Sequence, residues 1–124
     1  MIRILLAAAL LGFLAAPSLA QAAKADCAYA ATQAQMNNCA AAQYKTTDAT
    51  LNQSYKQAMS QAKNKDALKQ AQRAWITYRD RHCDAVGAQA EGGSMQPLLI
   101  TSCRTLLTTA RITELENLVK PPEN

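Results

Sequence analysis

The segment of residues 71–83 constrains the fold of this chain more than any other segment does. It contains the only tryptophan and the only histidine, and it ends in a cysteine. Around it, apolar and aromatic residues recur at steps of three and four, the spacing that places side chains on one face of an α-helix. This face consists of Leu68, Ala71, Trp75, Tyr78, His82 and Val86. Charged residues lie mostly between these positions, so the segment predicts an amphipathic helix with an aromatic inner face.

The first 20 residues have the pattern of a secretory signal peptide. One early positive charge, Arg3, precedes an apolar run at residues 4–16, and the small residues Ser18 and Ala20 form a cleavage signal. An alternative cleavage site follows Ala22. Since the run is shorter than the roughly 20 residues that a transmembrane helix requires, we expect a periplasmic or secreted protein that does not span the membrane after cleavage.

The chain that remains after cleavage is long enough for one small domain. We expect a helical domain at residues 23–120 and a short tail at residues 121–124. The net charge of +4 falls to +3 when Arg3 leaves with the leader, and no run of five like charges occurs. Nucleic-acid binding requires a concentrated basic patch, so we expect a mixed-charge surface and no nucleic-acid partner.

Four cysteines remain after cleavage, an even number that predicts two disulfides in a small exported domain. They are Cys27, Cys39, Cys83 and Cys103. No two of them form a Cys-x-x-Cys pair, the short spacing that is typical of zinc knuckles, haem attachment and dithiol redox sites. We therefore predict structural disulfides and neither a metal nor another cofactor.

The positions of the cysteines favour one pairing over the two others that four cysteines permit. Cys83 and Cys103 lie on either side of the glycine pair at residues 92–93, so they can face each other across a helical hairpin. Cys27 and Cys39 would lie about 18 Å apart within one continuous helix, whereas a disulfide allows roughly 6 Å. A Cys27–Cys39 bond therefore requires a non-helical segment before Thr32.

Helix-forming residues dominate the mature chain, and strand-like alternation of β-branched residues is absent. Thr32 and Gln35 form a capping box for the first helix, which either continues or restarts near Thr47. Asp66 is predicted to cap the second helix, which extends to about Ala90. The inner face of the first helix is predicted to contain Tyr44, Leu51, Tyr55, Met59 and Ala62.

A glycine turn at residues 91–93 separates the second helix from the third, which Ser94 is predicted to cap and Pro121 to end. The inner face of the third helix is predicted to contain Leu99, Cys103, Leu106, Ala110, Leu115 and Leu118. Because short links make sequential helices antiparallel, the sequence predicts an all-α fold. We expect a small disulfide-stabilised antiparallel bundle of about three helices.

Three sequence blocks carry a resemblance to a known family. The first is Cys27 followed by Thr32-Gln33-Ala34-Gln35-Met36-Asn37-Asn38-Cys39-Ala40, then Tyr44, Asp48, Leu51-Asn52 and Tyr55. The second is Gln72-Arg73-Ala74-Trp75-Ile76-x-Tyr78-Arg79-Asp80-x-x-Cys83. The third is Gly92-Gly93-Ser94-Met95 with Cys103-x-x-Leu106-x-x-x-Ala110-Arg111. Together they cover nearly all of the mature chain and resemble the lysozyme-inhibitor LprI-like N-terminal domain family. Gln35 departs from that family, which commonly has Glu there.

No combination of residues predicts an active site. His82 is the only histidine, and its charged neighbours favour a packing or surface role over that of a catalytic base. Asp80 and Asp84 lie one helical turn apart, but nearby arginines favour structural ion pairs over acid–base catalysis. Those arginines are Arg73, Arg79 and Arg81. We therefore expect a binding protein and not an enzyme.

The resemblance implies an exported, disulfide-bonded helical protein that inhibits lysozyme. We predict that the turn between the second and third helices forms the partner-binding surface, because it is exposed and held by a disulfide. Its residues are Glu91, Gly92, Gly93, Ser94 and Met95. The alternative is an envelope protein that does not inhibit lysozyme and instead binds anionic cell-envelope material or another envelope protein, aided by its positive charge.

Overall fold

The chain forms an antiparallel bundle of helices in a computed structural model that describes residues 27–120. The described residues form three α-helices: α1 at Gln33–Gln61, α2 at Lys65–Gly87 and α3 at Gln96–Leu118. Short 3-10 turns lie at Cys27–Tyr29 and Ala88–Ala90, and the described part of the chain contains no strand. The predicted all-α fold is confirmed. The predicted leader, the cleavage site after Ala22 and the tail at 121–124 lie outside the described residues.

The start of α1 has the predicted capping box. The Gln35 backbone N–H donates to Thr32 Oγ1 at 3.2 Å, and the Thr32 N–H donates to Gln35 Oε1 at 3.0 Å. The helix then continues through Thr47 without a restart. Thr47 Oγ1 donates to the Gln43 carbonyl 3.0 Å away, so its hydroxyl is satisfied inside the helix and does not act as a cap.

Two other predicted helix caps are wrong. Asn64, not Asp66, caps α2, since the Ala67 N–H donates to Asn64 Oδ1 at 3.0 Å. Asp66 lies in the first turn of α2, where a carboxylate interacts favourably with the helix dipole. Ser94 does not cap α3, which begins after Met95 without a side-chain cap. The second helix is also shorter than predicted, because it ends at Gly87 before the 3-10 turn.

Helix α3 packs along both α1 and α2, whereas α1 and α2 make few direct contacts with each other. The core is centred on Leu51, Ala58, Leu68 and Leu115, with one or two residues from each helix. The partly buried residues that pack on it are Tyr55, Met59, Ala62, Trp75, Ile112 and Val119. In the described residues, no helix is both long and apolar enough to cross a membrane.

The inner face of α2 differs from the predicted face. Its buried residues are Leu68, Gln72, Arg79, Cys83 and Gly87. Ala71, Tyr78 and His82, which the periodicity placed inside, are exposed. The face is rotated because α1 and α3 supply partners for the polar groups of Gln72 and Arg79, and burial of those groups does not follow from hydrophobicity.

The inner face of α3 is also partly wrong as predicted. Leu106 is 72% exposed, Leu118 is 59% exposed, and Ala110 is exposed as well. Thr108 is fully buried instead, and its Oγ1 accepts a hydrogen bond from Arg79 Nη1 at 3.5 Å. A leucine at position 108 would remove this acceptor from the buried Arg79 guanidinium. A hydroxyl is therefore favoured on the side of α3 that faces Arg79.

Candidate partner-binding surface

Both disulfides lie at one end of the bundle, which we call the disulfide end. It consists of residues 27–40 and residues 83–103. Cys27 pairs with Cys39 and Cys83 pairs with Cys103, each with a Cα–Cα distance of 5.5 Å. This is the pairing that the sequence favours, and the segment before Thr32 is a 3-10 turn that folds back toward α1.

A hydrogen bond joins the two halves of the disulfide end. Asn37 Nδ2, in the second turn of α1, donates to the Ser94 carbonyl at 3.0 Å. The start of α1 and the turn between α2 and α3 therefore lie side by side. Two segments that are far apart in the sequence are therefore adjacent, and a disulfide holds each of them.

The turn at residues 91–95 is exposed at every position, and its backbone is well ordered by hydrogen bonds. The Gly93 N–H donates to the Ala90 carbonyl at 2.9 Å, and the Gln96 N–H donates to the Gly93 carbonyl at 3.2 Å. Gly92 has a φ of 74°, a conformation that other residues rarely adopt. Glycine is therefore required at this tip.

The disulfide end presents two exposed apolar side chains. Met95 is 49% exposed at the end of the turn, and Tyr29 is 81% exposed in the segment that the Cys27–Cys39 bond holds. Sequence periodicity did not identify Tyr29, because it precedes the first helix. Its position two residues after a disulfide-bonded cysteine was the available signal. Glu91 adds a carboxylate that forms no ion pair with the rest of residues 27–120.

A polar cluster lies inside the bundle, around the buried side chain of Arg79. Its Nε donates to Asp80 Oδ1 at 2.9 Å, and its Nη1 donates to Asp48 Oδ1 at 3.2 Å. The guanidinium also lies 5.5 Å from the centre of the Tyr44 ring and 5.2 Å from the Trp75 ring. This one side chain therefore links α1, α2 and α3.

Burial and ion pairing shift two pKa values in this cluster. Burial raises the pKa of Tyr44, although the positive charge of Arg79 opposes this shift. Burial lowers the pKa of Arg79, but the hydrogen bond with Asp80 and the nearby Tyr44 and Asp48 raise it more, so the net shift is upward. Arg79 thus stays charged and Tyr44 stays neutral near pH 7, which suits a structural role.

Asp80 and Asp84 of α2 form ion pairs, but with different arginines from most of those predicted. Arg104 of α3 lies 3.5 Å from Asp80 and 3.1 Å from Asp84, measured from its Nε and Nη2 atoms. Arg79 is the only predicted partner that takes part among the described ion pairs, and both other predicted arginines are exposed. The pairs connect α2 to α3, which the sequence did not indicate.

His82 lies on the surface of α2. It is exposed, and its ring stacks on the Tyr78 ring with 5.4 Å between the ring centres. In the described part of the chain, no three His, Cys, Asp or Glu residues are grouped closely enough to hold a metal ion. The disulfide end is the exposed surface of the described residues that both disulfides and the Asn37–Ser94 hydrogen bond hold in place.

Comparison with known proteins adds two findings. A family model described as lysozyme inhibitor LprI matches residues 23–115. An uncharacterized protein of Rhizobium meliloti (strain 1021) is 40% identical over an alignment of 124 positions, which covers 88% of this chain and 89% of that protein. No solved structure matches the chain.

Proposed function

The chain belongs to the lysozyme inhibitor LprI family, and from this membership we propose that it is an exported protein that inhibits lysozyme through its disulfide end. The domain at residues 23–120 would act outside the cytoplasm, in the periplasm or after secretion. Two disulfides in a small domain support this location, because such bonds persist in oxidising compartments. We further propose that the protein acts by binding alone, without catalysis or a cofactor.

The single observation that carries the choice of surface is the Asn37–Ser94 hydrogen bond. It joins the turn to the start of α1, so residues 91–95 and Tyr29 can be presented together to one partner. The backbone of this surface is already ordered in the free protein, which lowers the entropy cost of binding. An inhibitor that must hold a group over an enzyme cleft benefits from such rigidity.

The side chains of the disulfide end suit the rim of the cleft of a basic lysozyme. Tyr29 and Met95 supply apolar contact area, and tyrosine is enriched among the residues that dominate binding energies. Glu91 supplies a carboxylate beside them. The whole mature chain has a positive net charge, so long-range attraction to a basic lysozyme is not expected. The affinity would therefore depend on short-range contacts and only weakly on salt.

An inhibition assay with matched variants tests this proposal. The purified mature protein is titrated against several types of lysozyme acting on cell-wall suspensions, and the inhibition constant is measured. We expect Met95→Ser and Tyr29→Ser each to raise the inhibition constant about tenfold, as the loss of a well-packed interface side chain does. Leu106→Ser is the matched control, because Leu106 is 72% exposed but lies in the middle of α3.

Two results would contradict the proposal. If no type of lysozyme is inhibited, the activity is wrong, and if Leu106→Ser weakens inhibition as much as Met95→Ser does, the surface is wrong. A salt titration separates the alternative function. Binding to an anionic envelope polymer would weaken steeply between low and high salt, whereas a packed protein interface would not.

A further inference from the structure

The other end of the bundle contains an open groove that the proposed inhibition does not use. The groove lies between the end of α1, the start of α2 and the end of α3, and its volume is about 730 Å³. It is separated from Cys39 by most of α1, about 33 Å at 1.5 Å per residue. Ligand sites of small proteins commonly have such volumes and lie between the helices of bundles.

The floor of the groove is apolar. Leu68 and Val119 line it, and Leu68 is buried while Val119 is partly buried. Leu118 also lines the groove and is 59% exposed, so it has hydrocarbon surface that no other part of residues 27–120 covers. Small side chains at Ala67 and Ala71 keep the groove open on the α2 side.

The charged residues that line the groove are all positive. Lys63, Arg111 and Lys120 line it, and no aspartate or glutamate within residues 27–120 does so. Arg111 is partly neutralised by Glu114, which lies 2.8 Å away. Lys63 and Lys120 form no ion pair within the described structure, although Lys120 Nζ donates to Asn117 Oδ1 at 2.9 Å. The rim is therefore complementary to an anion.

We propose that this groove binds a small anionic amphiphile, a single alkyl chain with a carboxylate or phosphate head group. The alkyl chain covers the exposed Leu118 and the apolar floor, and the head group lies at the rim near Lys63 and Lys120. An alkyl chain suits the floor because Leu68, Leu118 and Val119 offer hydrocarbon contact, and the surrounding helices offer no strand edge to which an extended peptide could add. This proposal is independent of lysozyme inhibition.

Calorimetric titration of the mature protein with decanoate and with decyl phosphate, each below its self-association concentration, tests the proposal. We expect saturable binding of one molecule per chain, and the stronger of the two ligands identifies a carboxylate or a phosphate head group. Decyltrimethylammonium has the same alkyl chain with a positive head group and should bind at least about tenfold more weakly, since charge repulsion replaces attraction. NMR shifts should occur at the Leu68, Leu118 and Val119 methyl groups.

Charge-matched variants locate the site. Lys63→Glu combined with Lys120→Glu should weaken binding about tenfold, whereas Lys45→Glu combined with Arg81→Glu changes the net charge equally and should leave it unchanged. Leu118→Glu and its control Leu106→Glu, both on exposed positions of α3, test the floor without disturbing the core. Lysozyme inhibition should persist in all four variants.

Three results would overturn the proposal. They are equal binding of the anionic and cationic amphiphiles, equal loss of affinity in both charge-reversed variants, and methyl shifts confined to residues outside the groove. The absence of saturable binding to either anion would overturn it as well. None of these results bears on inhibition at the disulfide end, so the two proposals fail or succeed separately.

Discussion

The Arg79 side chain shows how a charged residue can occupy the interior of a small bundle. Its guanidinium is buried, but each carboxylate that pairs with it, on Asp48 and Asp80, remains 40% exposed. Water can therefore hydrate the negative partners, and the rings of Tyr44 and Trp75 cover the faces of the positive one. This arrangement reduces the desolvation cost that a fully buried ion pair would have.

We predict that Arg79→Met lowers the free energy of unfolding by about 2–3 kcal/mol. Loss of one partner of a fully buried pair costs about 3–5 kcal/mol, and the exposure of both aspartates reduces this cost. Arg73→Met, on the exposed side of the same helix, should change stability by less than about 0.5 kcal/mol. Urea denaturation of both variants measures the difference, and equal stabilities would show that Arg79 contributes little.

Trp75 belongs to the core, although it is only partly buried. It packs on the hydrophobic cluster, and the guanidinium groups of Arg79 and Arg111 lie 5.2 and 5.8 Å from its ring centre. We predict that Trp75→Ala destabilises the protein by about 3 kcal/mol, the lower end of the range for such truncations. Tyr78→Ala, at the exposed neighbouring position, should have little effect on the melting temperature.

Any loss of partner binding in the Trp75 variant should follow from unfolding. If Trp75→Ala keeps its melting temperature and loses only binding, the side chain belongs to an interface and our assignment is wrong. Because Tyr78 was predicted to lie inside and is exposed, an unchanged melting temperature in its variant would agree with its exposed position on α2.

At the scale of single elements, the close contact between α2 and α3 depends on Gly87. This residue is buried at the end of α2, and a Cβ atom added there would overlap Cγ1 and Cδ1 of Ile100. Glycine within a helix usually costs about 1 kcal/mol relative to alanine. Here the small residue is needed because the two helices approach each other closely just before the turn.

We predict that Gly87→Ala destabilises the protein by about 1–2 kcal/mol, since the overpacking of about 1–3 kcal/mol exceeds the gain in helix propensity. Combining it with Ile100→Ala should remove the overlap, so the double variant should be more stable than the sum of the single changes predicts. Thermal denaturation of the three variants completes this cycle. Additive effects would show that Ile100 is not the obstacle.

The caps and faces show how much of each element could be predicted. The capping box at Thr32 depends on residues three positions apart, so local sequence was sufficient to find it. The inner face of α3 depends on what lies opposite, and the buried Thr108 accepts a hydrogen bond there from Arg79 of α2. Hydrophobic periodicity assigned Leu106 to the core instead, because a single sequence does not indicate where a buried polar pair replaces an apolar contact.

At the scale of the whole molecule, the two disulfides stabilise different parts of the fold. The Cys83–Cys103 bond connects α2 to α3 across the turn, with Cys83 fully buried, whereas Cys27–Cys39 connects a short 3-10 segment to α1. Without the Cys27–Cys39 bond, the 3-10 segment can detach while the three helices remain packed. The consequences of removing each bond should therefore differ.

We predict that Cys83→Ala combined with Cys103→Ala lowers the free energy of unfolding by about 3 kcal/mol, the value expected for closure of a loop of this length. Cys27→Ala combined with Cys39→Ala should lower it by less than about 1 kcal/mol, because the 3-10 segment is then free in the folded as well as in the unfolded state, which cancels most of the loop-closure contribution. The latter variant should nevertheless inhibit lysozyme more weakly, because Tyr29 is no longer held in place. Chemical denaturation and the inhibition assay measure the two effects, and equal losses of stability would contradict this division.

The sequence by itself determined the helical class, the number of helices, the first cap, the favoured disulfide pairing and the family. Each of these depends on composition, on short-range spacing or on matching blocks of residues, and none needs knowledge of which helices touch. The expected leader and partner-binding turn also come from the sequence and remain predictions.

Only the tertiary structure decided which faces of α2 and α3 are buried and which residues share an end of the molecule. Arg79, Thr108 and Asp48 come from three different helices, and their contacts become visible only when the helices are packed. The same packing brings the Ser94 carbonyl to Asn37, 57 positions away in the sequence. Long-range hydrogen bonds and ion pairs stabilise polar groups in places where hydrophobicity alone predicts apolar ones.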